Sequence, residues 1–369
     1  MTFATRHGTR PRAANRDLVA QLQRLRELTR TPILTREAEY GTEERSEHAT
    51  PRPDQRSLFD PLAMVERQRW AKTLRGDSGE TMQATLKRAS DFGASRRVAK
   101  APEISAFAEL RRDFPNFDAV TSILERRALL CRRAGGQLYR LPPLLLSGPP
   151  GVGKSAYAKS IAALLDVPAC EVDAATLTAG FSLSGLDIGY STGGPGLVWH
   201  ALQSPCMSPL FFLDELDKAP RDNSYPTLSS LYTLLEPHSA RKFTDVATRL
   251  PVDASWIFWF ATCNSTDGLD GALLSRFVIV DVQAPTPSQM ASVVSSVHRR
   301  LTATAEWSAS FEIGLRENVA AALRALTPRE VTRALEDAYA AAAAAGRDHL
   351  VPGDVRPSIT TVRRHIGFV

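Results

Sequence analysis

The chain has 369 residues, room for two or three domains, and its 43% hydrophobic and 23% charged content is that of an ordinary globular protein. No stretch approaches the roughly 18 consecutive apolar residues of a membrane span. The four cysteines, Cys131, Cys170, Cys206 and Cys263, are too dispersed for a C-x-x-C zinc site or a disulfide framework, which suits a reducing cytoplasm and excludes a stapled secreted domain.

The net charge of +5 is uneven: residues 1–100 hold 20 Lys+Arg against 13 Asp+Glu, and the rest hold 25 against 27. The start lacks the compact apolar core of a secretory signal, although its Arg-rich opening weakly imitates a transit peptide. Two amphipathic stretches stand out in the first hundred residues, Leu18–Leu28 and the run around Leu58–Leu74, with polar sequence between them. Residues 1–104 therefore read as a basic region, mostly helical or disordered, with a solvated arm favoured over a nucleic-acid contact.

From Pro102 the texture changes. Phe107, Leu110, Phe114, Phe117, Val120, Ile123 and Leu124 recur at helical spacing, and the pattern runs to Arg133 before Ala134-Gly-Gly interrupts it. Leu141-Pro-Pro-Leu-Leu-Leu-Ser-Gly148 then reads as a short buried strand, and Ala156–Leu165 as a helix. Further apolar runs at Leu210–Leu213, Trp256–Ala261 and Phe277–Val282 alternate with helical or loop segments, the signature of a parallel α/β sheet. After Ala284-Pro-Thr-Pro the pattern is helical, at Met290–Leu301, Val319–Leu326 and Pro328–Ala344. The expected organisation is an N-terminal region over 1–104, an α/β subdomain over 105–284 and a small helical subdomain over 285–369.

The chemistry begins between the first strand and its helix. Gly148, Pro149, Pro150, Gly151, Val152, Gly153, Lys154 and Ser155 satisfy G-x-x-x-x-G-K-[ST], with Ala156 following. In that pattern backbone N–H groups ring the phosphates, the lysine neutralises the outer ones and the hydroxyl ligates magnesium. The helix dipole adds to the same attraction. Sixty residues beyond Lys154, the strand Leu210–Leu213 delivers Asp214 to hold Mg2+ and Glu215 to polarise an attacking water. A second carboxylate suits hydrolysis of ATP by water better than transfer to an acceptor. The apolar run Trp256–Ala261 leads to Asn264, placed to orient water or read the γ-phosphate, and Arg276 precedes the next strand, where it could stabilise transition-state charge in a neighbouring subunit.

Together these residues resemble AAA+ ATPases and, within them, the ATPase module of Lon-type proteases, over roughly residues 105–369. The resemblance also rests on Phe212-Leu-Asp-Glu-Leu-Asp-Lys218, Leu234-Leu-Glu-Pro237, Leu250-Pro-Val-Asp253 and Ala261-Thr-Cys-Asn264. It implies that Asn264 is the sensor-1 residue, Arg276 the arginine finger and Arg329 the sensor-2 residue, with Arg333 as rival for the last role. It implies further that Ile188-Gly-Tyr190-Ser-Thr-Gly-Gly-Pro-Gly196 is a pore loop whose Tyr190 grips a polypeptide. A glycine-rich turn carrying an incidental tyrosine is the plainer reading.

The family's protease domain would follow the lid, yet no Ser-Lys unit is legible after Arg329, and the chain's last residues are Arg363-Arg-His-Ile-Gly-Phe-Val369. The expectation is a cytoplasmic, hexameric ATPase ring without its own protease, using ATP and Mg2+ to remodel a protein client, with a separate protease or effector as a further partner. A nucleic-acid-directed ATPase is the alternative, since clamp loaders and helicases share the fold.

Overall fold

A computed structural model describes residues 52–136, 138–177, 180–220 and 228–356. The amphipathic stretch Leu18–Leu28 and the segment Arg363–Val369 lie outside the described residues.

The central feature is a five-stranded sheet in the order β4-β5-β8-β3-β9, built from β3 (Leu144–Ser147), β4 (Ala169–Asp173), β5 (Leu210–Asp214), β8 (Phe258–Cys263) and β9 (Val278–Asp281). β4 pairs parallel with β5 and β5 with β8, in a register that sets Asp173 against Asp214 and Leu213 against Ala261. β5 and β8 are buried almost throughout, as their continuous apolar sequence requires. β4 instead alternates exposed and buried residues at the sheet edge.

The described residues divide into two compact units, each discontinuous in sequence. The first contains residues up to 101, 131–145 and 165–278. Its core joins Phe211, Leu213, Trp259 and Ala261 of the strands to Leu58, Met64, Met82, Leu86 and Val98 from the N-terminal hundred residues. Those N-terminal residues form β1 (Gln55–Ser57), α1 (Pro61–Ala71), α2 (Asp77–Asp91) and β2 (Ser95–Arg97), with β1 and β2 antiparallel.

Arg96 holds this region to the rest of the unit. It is 1% exposed, donates to the carbonyls of Ala89, Gly93, Leu202 and Ser204, and lies beside the Phe59 and Phe92 rings. Burial pulls its guanidinium down to about 10, so it stays charged at neutral pH.

The second unit contains residues 102–130, 146–164 and those from 279 onward. The helical pattern beginning at Pro102 is two helices, α3 (Ile104–Asp113) and α4 (Asp118–Arg133), separated by a 3-10 turn at Pro115–Phe117. Pro115 lacks an N–H and disfavours helix at Phe114, which takes φ −135° and ψ 66°. Pro142 and Pro143 likewise delay β3 to Leu144.

Helix α5 (Lys154–Leu164) follows β3. The last helices are α11 (Pro287–Thr304), α12 (Glu317–Leu323) and α13 (Pro328–Ala344), packed through Val294, Val297, Leu323, Val331, Leu335 and Ala338. Thr286 and Thr327 open α11 and α13 with reciprocal capping boxes to Gln289 and Glu330. Among the described residues no helix is long and apolar enough to cross a membrane.

Candidate nucleotide site

Within the second unit, β3 runs into a turn that calls for glycine at positions 148, 151 and 153. A Cβ on Gly148 would lie 2.1 Å from the Val282 carbonyl oxygen, because Val282 N–H bonds Ser147 O at 2.7 Å and draws the two segments together. Gly151 and Gly153 have φ of +82° and +105°, a region that penalises other residues. α5 begins at Lys154, which is 8% exposed, and its Nζ donates to the carbonyls of Gly148 at 2.6 Å and Pro149 at 3.1 Å. A glycine-rich loop is thus closed around one buried ammonium group.

The helix is anchored from below. Tyr157 stacks on Phe117 at 4.3 Å, meets Phe114 edge-on and shares a 2.8 Å hydrogen bond with the Thr121 hydroxyl. Burial raises the Tyr157 phenol well above its ordinary range, so it acts as a neutral strut. Asn116 donates through Nδ2 to Val152 O at 3.3 Å and Gln283 O at 3.1 Å, tying the loop to the segment after β9.

Arg329 lies at the second position of α13, and a Cβ built on Gly151 would stand 3.5 Å from its Cβ and 3.9 Å from its Cδ. The rival Arg333 has no atom among those contacts. The candidates in this unit, Gly148 through Ala156 together with Arg329, are therefore brought to one place.

The first unit places Asp214 and Glu215 at the end of β5. The Thr262 hydroxyl, on neighbouring β8, donates to Asp214 Oδ1 and accepts the Glu215 backbone N–H at 3.0 Å. Glu215 itself sits in the left-handed region at φ 54° and ψ 49°, a conformation that costs a non-glycine residue roughly 1–2 kcal/mol. Its carboxylate pairs with Lys218 Nζ at 2.6 Å, both side chains being partly exposed, and that contact raises the Lys218 ammonium above its ordinary value.

Asn264 follows β8, and its backbone N–H bonds Asp217 Oδ2 at 3.3 Å. Asp214, Glu215 and Asn264 thus share one strand-end cluster, with Thr262 and Asp217 as its unforeseen members. Nothing in the sequence alone signals Thr262; only the β5–β8 register sets its hydroxyl beside the β5 terminus. Nothing local signals Asn116, which acts 36 and 167 residues away.

Arg276 is pinned by its own unit. Nε donates to Tyr232 O at 3.2 Å, Nη1 donates to Ala272 O, and the guanidinium lies 5.3 Å from the Tyr232 ring centroid. Tyr232 in turn bonds Asp270.

Tyr190 occupies the tip of a tight hairpin. Leu186 and Gly194 exchange backbone hydrogen bonds of 2.9 Å, and the Tyr190 side chain is 65% exposed. Trp256 and Trp259, in contrast, are core residues.

The AAA family, described as "ATPase family associated with various cellular activities", matches residues 144–283, the segment holding the glycine-rich turn and the strand-end carboxylates. Residues 144–283 are an AAA domain. The chain is 33% identical over 149 residues to the Lon protease of Finegoldia magna and 32% identical over 157 residues to the peroxisomal Lon protease homolog 2 of Eremothecium gossypii. Each alignment takes in 40% of this chain but only 19% and 16% of those proteins, so the chain spans under a fifth of their length. Its fold is similar to that of S. cerevisiae Hsp104 in a casein complex, with TM-score 0.52 and 17% identity over 66% of this chain and 47% of that one.

The residues of the AAA domain fit a nucleotide. A loop closed to a Cβ at Gly148 and left-handed at Gly151 and Gly153, a buried ammonium and the first turn of α5 form an anion site. The Ser155 hydroxyl and Asp214 carboxylate are hard oxygen donors of the kind Mg2+ takes.

Proposed function

We propose that this chain is an ATP-hydrolysing, ring-forming AAA motor that remodels a polypeptide client. The observation that carries the ATPase part is the glycine cradle of 148–153 closed on Lys154. In this reading Lys154 and the loop N–H groups bind the phosphates, and Ser155 with Asp214 would hold Mg2+, which supplies charge neutralisation on the phosphoryl oxygens. Thr262 fixes Asp214 and aims the Glu215 backbone, leaving the Glu215 carboxylate to accept a proton from the attacking water, with Lys218 as its resting partner.

Asn264 acts as water-orienting sensor and Arg329 as lid sensor. Arg276 serves a neighbouring subunit in a hexameric ring after leaving its Tyr232 perch. Residues 105–284 make up the large ATPase subdomain and 285–369 the lid.

The client part is supported by Tyr190, a large side chain held in solvent at the tip of a braced hairpin, and by similarity to proteins named as Lon proteases. The test pairs two substitutions. Glu215→Gln should bind ATP, lose turnover and hold a protein client that mass spectrometry can identify, while Tyr190→Ala should lose unfolding of a tagged reporter protein. Full reporter unfolding by Tyr190→Ala would remove the client-loop assignment and leave the ATPase assignment standing. Turnover stimulated by DNA and by no protein would replace the client reading with the nucleic-acid alternative.

A further inference from the structure

The hairpin that presents Tyr190 is held by a segment distant in sequence. Asp245 is 0% exposed and lies between β6 (Phe243–Thr244) and β7 (Pro251–Val252). Its Oδ2 accepts the Gly196 N–H at 2.7 Å, and its Oδ1 accepts the N–H groups of Ala247 and Thr248 at 3.0 Å each. A buried carboxylate is costly unless several donors surround it, and here one donor comes from the client hairpin itself, 49 residues away.

Both ends of the hairpin are shaped to this carboxylate. Gly185 has φ +86°, and a Cβ there would come 2.5 Å from Asp245 Oδ2; a Cβ on Gly196 would strike Gly185 N and Leu183 O at 2.3 Å. The next residue adds a backbone bond, Val246 N–H to Ser184 O at 2.8 Å. Further out, the Arg249 guanidinium meets the Asp187 carboxylate at 2.5 Å, while Asp187 Oδ1 accepts the Gly189 N–H at 2.8 Å beside Tyr190. Arg249 reaches this position from a left-handed φ of 52°, with its N–H on Asp245 O at 2.8 Å.

We propose that the turn 245–249 is the positioning clamp of the client hairpin, with Asp245 fixing its base and Arg249 its rim so that Tyr190 is presented at a set height and angle. The inference rests on the client reading of Tyr190 for its functional consequence, but not for its structural one. Neither Asp245 nor Arg249 touches the client. They act through Gly196 and Asp187, converting a glycine-rich loop, intrinsically costly to order, into a stiff finger able to transmit force.

The decisive measurement is hydrogen exchange on the full chain, read amide by amide. In Asp245→Asn the new amide N–H group confronts the Gly196 N–H, and the amides of Leu186, Gly194 and Gly196 should exchange about tenfold faster, while those of β5 and β8 keep their wild-type rates. Arg249→Ala removes the exposed ion pair with Asp187 and the guanidinium's place 6.0 Å from the Trp70 ring centroid, and leaves the Asp245 carboxylate and its donors intact. It should accelerate Gly189 and spare Gly196.

Unchanged exchange across 186–196 in both variants would overturn the clamp, as would acceleration spread evenly over the first unit. Should Asp245→Asn fail to fold, Arg249→Ala decides alone at Gly189. The functional arm uses labelled casein as the probe: each variant should raise the casein concentration that half-saturates stimulation of ATP turnover, with maximal turnover less affected. Faster exchange in 186–196 without any change in that concentration would sink the coupling of clamp to client. If Tyr190→Ala also unfolds its reporter normally, the client reading itself has failed, and the exchange result still stands or falls separately.

Discussion

Glu215 and Thr262 are joined by a 3.0 Å hydrogen bond from the Glu215 backbone N–H to the Thr262 hydroxyl, and the same hydroxyl donates to Asp214. One side chain on β8 therefore sets both carboxylates at the end of β5. Thr262→Val keeps the shape and removes both bonds, at about 1–3 kcal/mol for the stranded N–H. ATP turnover should fall about tenfold or more with nucleotide affinity little changed, and Thr262→Ser should restore most of it. Steady-state turnover alongside binding of a fluorescent ATP analogue checks the split, and wild-type turnover in Thr262→Val would refute the assigned role.

Gly148→Ala must push a methyl into the Val282 carbonyl, 2.1 Å from the ideal Cβ position, and backbone on both sides leaves little room to give. Overpacking of this kind costs about 1–3 kcal/mol or more. The expected outcome is a lower thermal midpoint and at least about a tenfold loss of ATP affinity, both read from thermal unfolding with and without nucleotide.

Arg329 packs its aliphatic stem beside Gly151, and Arg333 does not. Arg329→Ala should weaken ATP binding or turnover by about tenfold and leave the thermal midpoint of the nucleotide-free chain nearly unchanged, as for other exposed substitutions. Arg333→Ala should have the smaller effect. A larger loss in Arg333→Ala would transfer the sensor role to that residue.

His298 in α11 is buried against Tyr339, with a 2.7 Å hydrogen bond to the phenol, and burial lowers its pKa below the ordinary 6.5. The folded state therefore binds fewer protons than the unfolded state just below pH 6.5, so stability rises with pH there. The contribution of neutral His298 is complete above about 6.5 and is lost as pH falls through the depressed folded value. Thermal midpoints measured from pH 7.5 to 5.5 should fall less steeply in His298→Gln than in the wild type.

Much of the fold was legible because its signals are local. The three C-terminal helices announce themselves by apolar spacing, and Thr286 and Thr327 mark two of their starts through side chains three residues from their partners. The P-loop was legible because glycine at 148, 151 and 153 answers a steric demand that other residues cannot meet.

What stayed hidden depends on distance along the chain. β4 was not singled out, since its alternating exposed and buried residues make no apolar run. Thr262 looks like one more strand residue until the register sets it beside Asp214. Asp245 reads as a polar turn residue, and only the fold reveals the Gly196 N–H it receives. The break at Pro115 was a local signal obscured by the helical periodicity on either side of it.

Arg96 carries a consequence for anyone rearranging this chain. Its guanidinium takes carbonyls from Leu202 and Ser204, more than a hundred residues downstream, as well as from Ala89 and Gly93. Residues 55–97 are consequently not a detachable adaptor that could be grafted onto another motor. Trimming them away would strip Leu58, Met82 and Leu86 from the core around Trp259 and leave those acceptors without their donor, and a shortened version begun near residue 101 would carry an open wound in place of a surface.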